Sequence, residues 1–249
     1  MPENNTESFY NEISSFYDDM IDFEKSLEKR KLQLQKFIKD DFKTAADLGC
    51  GSGLDSIALS SLGLKVTAFD PSDMMIRKAR ENARANMQEI DFICSGLENI
   101  PLGYKQKFDI ALSLGNTFAN ISPEKIERSI GKVYKILNSG GKFVLQILNY
   151  TRILSNEEKI VGINSKNDFT FVRYYDFHSN HLNFNILKFN SAYPDDRKVS
   201  STKIFPYKKK FLINELKKSG FRKIKCFGSL SLDKFSNLSS KDLIILAEK

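Results

Sequence analysis

The chain has 249 residues, the size of one α/β domain or of one domain carrying an insertion. Charged residues make up 28% and hydrophobic residues 41%, which excludes a mostly disordered chain. Lys and Arg number 38 against 31 Asp and Glu, a formal net charge of +7, and no stretch approaches the roughly 18 unbroken apolar residues of a membrane span.

The opening MPENNTESFY lacks the basic-then-apolar pattern of a secretory signal. Cys50, Cys94 and Cys226 are far apart, with no CxxC and no His at metal-ligand spacing. Reduced thiols, no metal site, no membrane association and a cytoplasmic location are the expectations.

Residues 1–40 read as a helical cap, with Phe9, Ile13, Phe16, Tyr17 and Met20, then Leu27, Leu34, Phe37 and Ile38, near a 3.6 period. From there short apolar runs alternate with helical segments. Residues 44–48 read as a strand ending in Gly-Cys-Gly, 54–62 as helix, and 64–69 as a strand ending in Asp-Pro. Residues 72–86 read as a helix capped by Ser72, with Met75, Ala79 and Ala83 on one face. Strands follow at 90–94 and 108–114. Ser122-Pro123 opens a helix that Asn138-Ser139-Gly140-Gly141 should stop, ahead of a strand at 142–148.

Residues 150–206 break this rhythm. Segments 169–177 and 182–189 alternate like antiparallel strands around a His178-Ser179-Asn180 turn, and 199–205 reads as a third strand. The α/β pattern resumes with a helix at 208–219, Gly220 as its stop, and strands at 221–227 and 242–248 that should pair antiparallel. The expected fold is α/β, a mostly parallel sheet with helices on both faces and ligands at the strand C-termini. The expected organisation is a cap (1–40), a core (41–149 and 207–249) and an inserted antiparallel sheet (150–206).

The informative stretch is Ala46-Asp47-Leu48-Gly49-Cys50-Gly51-Ser52-Gly53, a strand running into a glycine turn that opens a helix. Glycine permits a tight turn and lets a ligand approach main-chain N–H groups. A dinucleotide fingerprint would need a small residue at position 54, which is Leu, and a P-loop would need Gly-Lys-Ser/Thr. Asp47 would repel a pyrophosphate and favour a ligand with a positive group. At the end of the second strand, Asp70 offers a carboxylate suited to ribose hydroxyls.

These residues resemble the class I S-adenosylmethionine-dependent methyltransferases. Asp47–Gly53 is similar to that family's first motif, Asp70 to its ribose-binding acid, and residues 108–114 to its fourth-strand motif. The resemblance implies a Rossmann-like seven-stranded sheet whose last strand is reversed, with S-adenosylmethionine as cofactor and S-adenosylhomocysteine as product. It further implies that Asp47 and the Gly49–Gly53 backbone, Cys50 and Gly51 included, hold the methionine part. Pro71 and Met75 would flank the adenine, and Tyr17, Gly96, Leu97 and Leu114 would complete the cofactor site. In place of the family's acidic residue after the third strand stands Ser95-Gly96-Leu97-Glu98, so the adenine contact falls to the Leu97 backbone or to Glu98.

The segment Leu114-Gly115-Asn116-Thr117-Phe118-Ala119-Asn120 lacks the Asn/Asp-Pro-Pro-Tyr motif of base-amino methylases and looks like the glycine N-methyltransferase branch. In that branch an arginine that grips the acceptor carboxylate stands where this chain has Leu148, which points to a small molecule other than glycine. Asn116 is the leading candidate for an acceptor contact. Arg173 is a candidate for an acidic acceptor group, and His178 or His181 for a general base. The aromatics Phe169, Phe171, Tyr174, Tyr175, Phe177 and Phe184 read as core of the small sheet, with one face serving as a lid.

The expected activity is SN2 methyl transfer to N or O of a small molecule by a monomer or homodimer. The alternatives are an RNA methyltransferase using the basic 203–225 face, or a catalytically silent cofactor-binding regulator. Without aromatic interleaving along the basic run, nucleic acid is the less favoured partner.

Overall fold

The computed structural model describes residues 6–249. Three helices open the chain, α1 (Thr6–Ile13), α2 (Tyr17–Ile21) and α3 (Phe23–Leu34). The cap predicted over residues 1–40 is therefore broken, most sharply at Asp22, whose φ of 49° no helix continues through. Positions 1–5 lie outside the described residues.

The core alternates as expected: β1 (Thr44–Leu48), α4 (Leu54–Ser61), β2 (Lys65–Asp70), α5 (Asp73–Ala85), β3 (Asp91–Cys94), β4 (Phe108–Ser113), α6 (Pro123–Ile136) and β5 (Leu137–Leu148). A short helix, α7 (Tyr150–Ser155), leads to β6 (Ile160–Lys166), β7 (Phe169–Phe177), β8 (Leu182–Asn190) and β9 (Arg197–Ile204). The chain closes with α8 (Lys209–Lys218), β10 (Arg222–Phe227) and β11 (Asp242–Glu248).

The main sheet has seven strands in the order β10-β11-β5-β4-β1-β2-β3. Strands β1 to β5 pair in parallel, whereas β11 runs antiparallel to both β5 and β10. This is the reversed last strand that the sequence implied. The period-two pattern of β5 feeds both faces: Phe143, Leu145 and Ile147 pack with α6 and α8, Val144 with the α3–α4–α5 side. The Ser72 hydroxyl accepts the Met75 amide at 3.0 Å and caps α5.

Two local predictions are corrected. Helix α6 ends at Ile136 and passes directly into β5, which begins at Leu137 and not at 142. Leu137 is extended and pairs with Phe108, and the register then jumps to Ile110 opposite Lys142. Gly140 (φ +76°) bends a strand here instead of stopping a helix.

The insertion holds a helix and four strands where three strands were expected. Its sheet, β6-β7-β8-β9, is antiparallel throughout. The inner face carries Phe171, Tyr175 and Ile186, buried against Phe9, Ile13 and Phe16 of the N-terminal segment and against the main core. Cap and insertion thus share one apolar layer, and both close over the C-terminal edge of the main sheet.

Candidate active site

The C-terminal ends of β1, β2, β3 and β4 open into a cleft of about 1690 Å³. Its floor is built by Gly49, Cys50 and Gly51 after β1, Asp70 and Pro71 after β2, Gly96 and Leu97 after β3, and Leu114 after β4. The cap supplies Tyr10, Tyr17 and Arg30, and the insertion supplies His181, Asn183, Lys203 and Phe205.

The glycine turn hangs on the second strand. Gly49 and Cys50 donate to the Phe69 carbonyl at 2.7 and 3.0 Å. The Asp70 carboxylate accepts the Gly51 amide through Oδ2 and the Ser72 amide through Oδ1, each at 2.9 Å. Burial raises the Asp70 pKa to about 6 although both amides favour the anion. Each oxygen keeps a lone pair after accepting one N–H, so the carboxylate can receive a pair of hydroxyls as well.

The two turn glycines answer different demands. A Cβ on Gly49 would lie 2.3 Å from Thr117 Cγ2, so packing requires that glycine. A Cβ on Gly51 would meet only the Tyr17 ring, at 3.8 Å, and glycine there serves the φ of +53° and leaves the loop bare to the cleft. Gly53 does not line the cleft; it starts α4 close against Ala79.

Asp47 and Met75, expected at the cofactor, are not among the residues that line the cleft. Asp47 is buried and accepts the Ser56 hydroxyl at 2.5 Å. Burial and neighbouring Asp55 raise its pKa, opposed by Ser56 and Arg30. Arg30 reaches from α3 to an ion pair with Asp55 and ties the cap to the loop helix. Met75 is buried beneath the cap with Phe9 and Ile13.

Asn116, expected at the acceptor, is not among the residues that line the cleft. Its Nδ2 donates to Tyr150 Oη at 2.7 Å and its Oδ1 accepts the Leu148 amide at 3.1 Å, so both ends of the amide are taken up in tying the β4 loop to β5. Arg173 sits outside the cleft lining, its guanidinium over Gly162, and its buried Nε has no partner. His178 is an exposed turn residue beyond the cleft; of the two histidines, His181 is the one at the wall. None of the six aromatics from 169 to 184 lines the cleft. Tyr10, Tyr17 and Phe205 do.

Sequence reasoning missed Asn120. Its Nδ2 donates to Tyr10 Oη at 3.3 Å, and its Oδ1 is buried at the cleft wall without a partner. The hydroxyl of Ser52, another residue that lines the cleft, is likewise buried and unpaired. Orphaned buried polar atoms are rare, and a pair of them on one cleft marks a place for a polar ligand. Burial pushes the Tyr10 hydroxyl up to about 12, so it stays a neutral donor. No signal in the sequence separated Asn120 from Asn116 in the same loop.

Residues 45–141 match the family description of a methyltransferase domain. The glycine/sarcosine N-methyltransferase of Aphanothece halophytica is 27% identical over 192 residues, covering 75% of this chain and 69% of that protein. The carboxy-S-adenosyl-L-methionine synthase of Nautilia profundicola is 29% identical over 224 residues, 87% of each chain. A crystal structure of an S-adenosylmethionine-dependent methyltransferase from Clostridium acetobutylicum ATCC 824 superposes with a TM-score of 0.77 at 18% identity, over 96% of this chain and 98% of that one. The glycine turn, the Asp70 carboxylate and the open strand edge fit S-adenosylmethionine as the cofactor: the chain is a class I S-adenosylmethionine-dependent methyltransferase.

Proposed function

We propose that the enzyme methylates an amine nitrogen of a small molecule held between the β4 loop and the insertion. The unpaired Asn120 Oδ1 carries this reading. A buried carbonyl oxygen at the cleft wall asks for a donor, and the N–H of an attacking amine is one. The attacking lone pair of an alkoxide or phenolate offers it none. The similarity to a glycine/sarcosine N-methyltransferase points the same way.

When bound, S-adenosylmethionine supplies an electrophilic methyl group on a sulfonium. The residues of this chain do the rest by positioning. Asp70 takes the ribose hydroxyls, the bare Gly51 backbone admits the cofactor's chain, and Pro71 and Leu97 flank the adenine. Asn120 aligns the nitrogen lone pair by holding its N–H. The rings of Tyr10 and Tyr17, 6.4 Å apart, wall off water beside the cationic centre. A neutral amine needs no general base before attack, so most of the acceleration can come from alignment.

The cleft is larger than the roughly 300–1,000 Å³ of a usual small-molecule site, which leaves room for cofactor and acceptor together. Of the basic 203–225 face only Lys203 and Phe205 line it, and the lysines from 208 onward stand outside the cleft. The test is a methyl-transfer screen of the purified protein over amino acids, other primary and secondary amines, hydroxylated metabolites and RNA, with S-adenosylhomocysteine formation as readout. Turnover on amines, lowered at least tenfold by Asn120→Leu, is the expected result. Turnover confined to oxygen acceptors or to RNA would overturn it.

A further inference from the structure

At the outer end of the cleft, β8 and β9 bring His181, Asn183 and Lys203 to one wall. Asn183 and Lys203 are direct register partners, and both lie on the cleft side. Lys203 is exposed, and its ammonium makes no ion pair or hydrogen bond with any described residue. His181 stacks on His178 with ring centroids 4.5 Å apart and planes 11° apart. Its Nδ1 lies 2.7 Å from Asn180 Oδ1, which takes the Nδ1–H and leaves Nε2 free. Burial, then Lys203, then His178 pull the His181 pKa down. A free ammonium, an imidazole whose pKa is lowered by burial and by Lys203, and an amide donor thus meet on one wall. Across the cleft Lys125 is already neutralised by Glu98 at 3.1 Å. Glu124 also lines the cleft there and takes the Ser122 hydroxyl.

We propose that His181, Asn183 and Lys203 form a subsite for an oxyanion, a carboxylate or a phosphate, carried by the acceptor. This rests on the amine-acceptor reading and deepens it, because the subsite adjoins Asn120. The Phe205 amide, at the end of β9, donates to the Ala119 carbonyl at 2.7 Å and fixes the subsite beside that residue. The acceptor is then a molecule with an amine at one end and an anion at the other. Leu148 carries no charge and is not among the residues that line the cleft. The cation comes instead from the insertion, one strand-end away from the amine. An oxyanion there pairs with Lys203, accepts from Asn183, and stabilises the protonated form of His181.

The two histidines of the chain make the test direct. Their imidazole resonances would be followed in the full-length protein as inorganic phosphate, and separately acetate, is added at constant ionic strength, with chloride as control. A saturable shift of His181 with phosphate or acetate, and an upward move of its titration midpoint, is expected. The tighter of the two anions names the group on the acceptor. Lys203→Ala should weaken the effect at least tenfold and Lys203→Arg should restore it, while S-adenosylmethionine affinity by calorimetry stays at the wild-type value. A response that never saturates with either anion, or one equal in Lys203→Ala, overturns the subsite. The reading it rests on fails separately: saturation of His181 without any amine turnover would leave the anion site standing and remove the amine.

Discussion

The Asp70 carboxylate accepts the Gly51 amide at 2.9 Å, so the end of β2 and the glycine turn after β1 form one unit. One oxygen shapes the loop, and the same carboxylate faces the cleft. The residue that would bind the ribose therefore also sets the backbone beside it.

Cofactor affinity should fall as pH drops through about 6, the raised pKa of Asp70 in the free protein. Hydroxyl donors bind the ionised carboxylate best, so affinity is complete above that value and declines below it. Asp70→Asn should remove the step and bind at least tenfold more weakly at pH 8, about 1.4 kcal/mol. Calorimetric titration with S-adenosylmethionine between pH 5 and 8 checks both. A pH-independent wild type would separate Asp70 from the ribose.

Gly49→Ala and Gly51→Ala should differ. Both place an alanine at positive φ, a cost of about 1–2 kcal/mol. Only the first drives its Cβ into Thr117, at 2.3 Å from Cγ2. Urea unfolding should therefore show the larger loss for Gly49→Ala, with part of it recovered in the Gly49→Ala/Thr117→Ala double variant. Equal losses would mean that the turn shifts to absorb the methyl group.

What the sequence revealed of this site follows from how local each signal is. Gly49 to Gly53 and Asp70 were legible because turn chemistry and strand ends are written in neighbouring residues. The parallel core followed from the alternation of strands and helices, while the spatial order of the strands came only from the structure. Strand β6 was missed because its apolar positions straddle Gly162, whose lack of a Cβ makes room for the Arg173 guanidinium of the next strand. That is a non-local reason no periodicity carries. Asn116 and Asn120 look alike in sequence. Only the partners, Leu148 and Tyr150 for one and Tyr10 for the other, tell the tying residue from the one with a free oxygen. Lys203 read as part of a basic run and proves to be a cleft residue, because β9 ends there.

Asp47 supplies a prediction on stability. Burial and Asp55 raise its native pKa above the unfolded value near 4. Between those values the native state holds a proton that the unfolded chain has released, so stability falls as pH rises through the window. Asp47→Asn keeps an oxygen for the Ser56 hydroxyl and cannot ionise. It should melt higher than the wild type at pH 8 and close to it at pH 4, with about 2–4 °C for each kcal/mol at this chain length. Thermal scans at the two pH values decide it, and a variant less stable at pH 8 would show that the anion is needed.

Asn116 and Asn120 should part in their effects. Asn116→Ala strips the Leu148 amide of its partner and removes one of the two hydrogen bonds of the buried Tyr150 hydroxyl, which keeps Tyr175. Leaving a buried donor unsatisfied costs about 1–3 kcal/mol, so the variant should lose stability in urea while its acceptor KM stays near that of the wild type. Asn120→Ala removes one long bond to Tyr10, at 3.3 Å, and an oxygen that bonds nothing, so unfolding should barely change. Its cost belongs in kcat/KM for the amine, at least tenfold, because the N–H that Asn120 would hold then has no acceptor. Urea midpoints and steady-state kinetics on the same two proteins separate the roles. If Asn116→Ala raised the acceptor KM and Asn120→Ala left it unchanged, the acceptor contact would lie at Asn116, and the β4 loop would have to open from β5 when the acceptor binds.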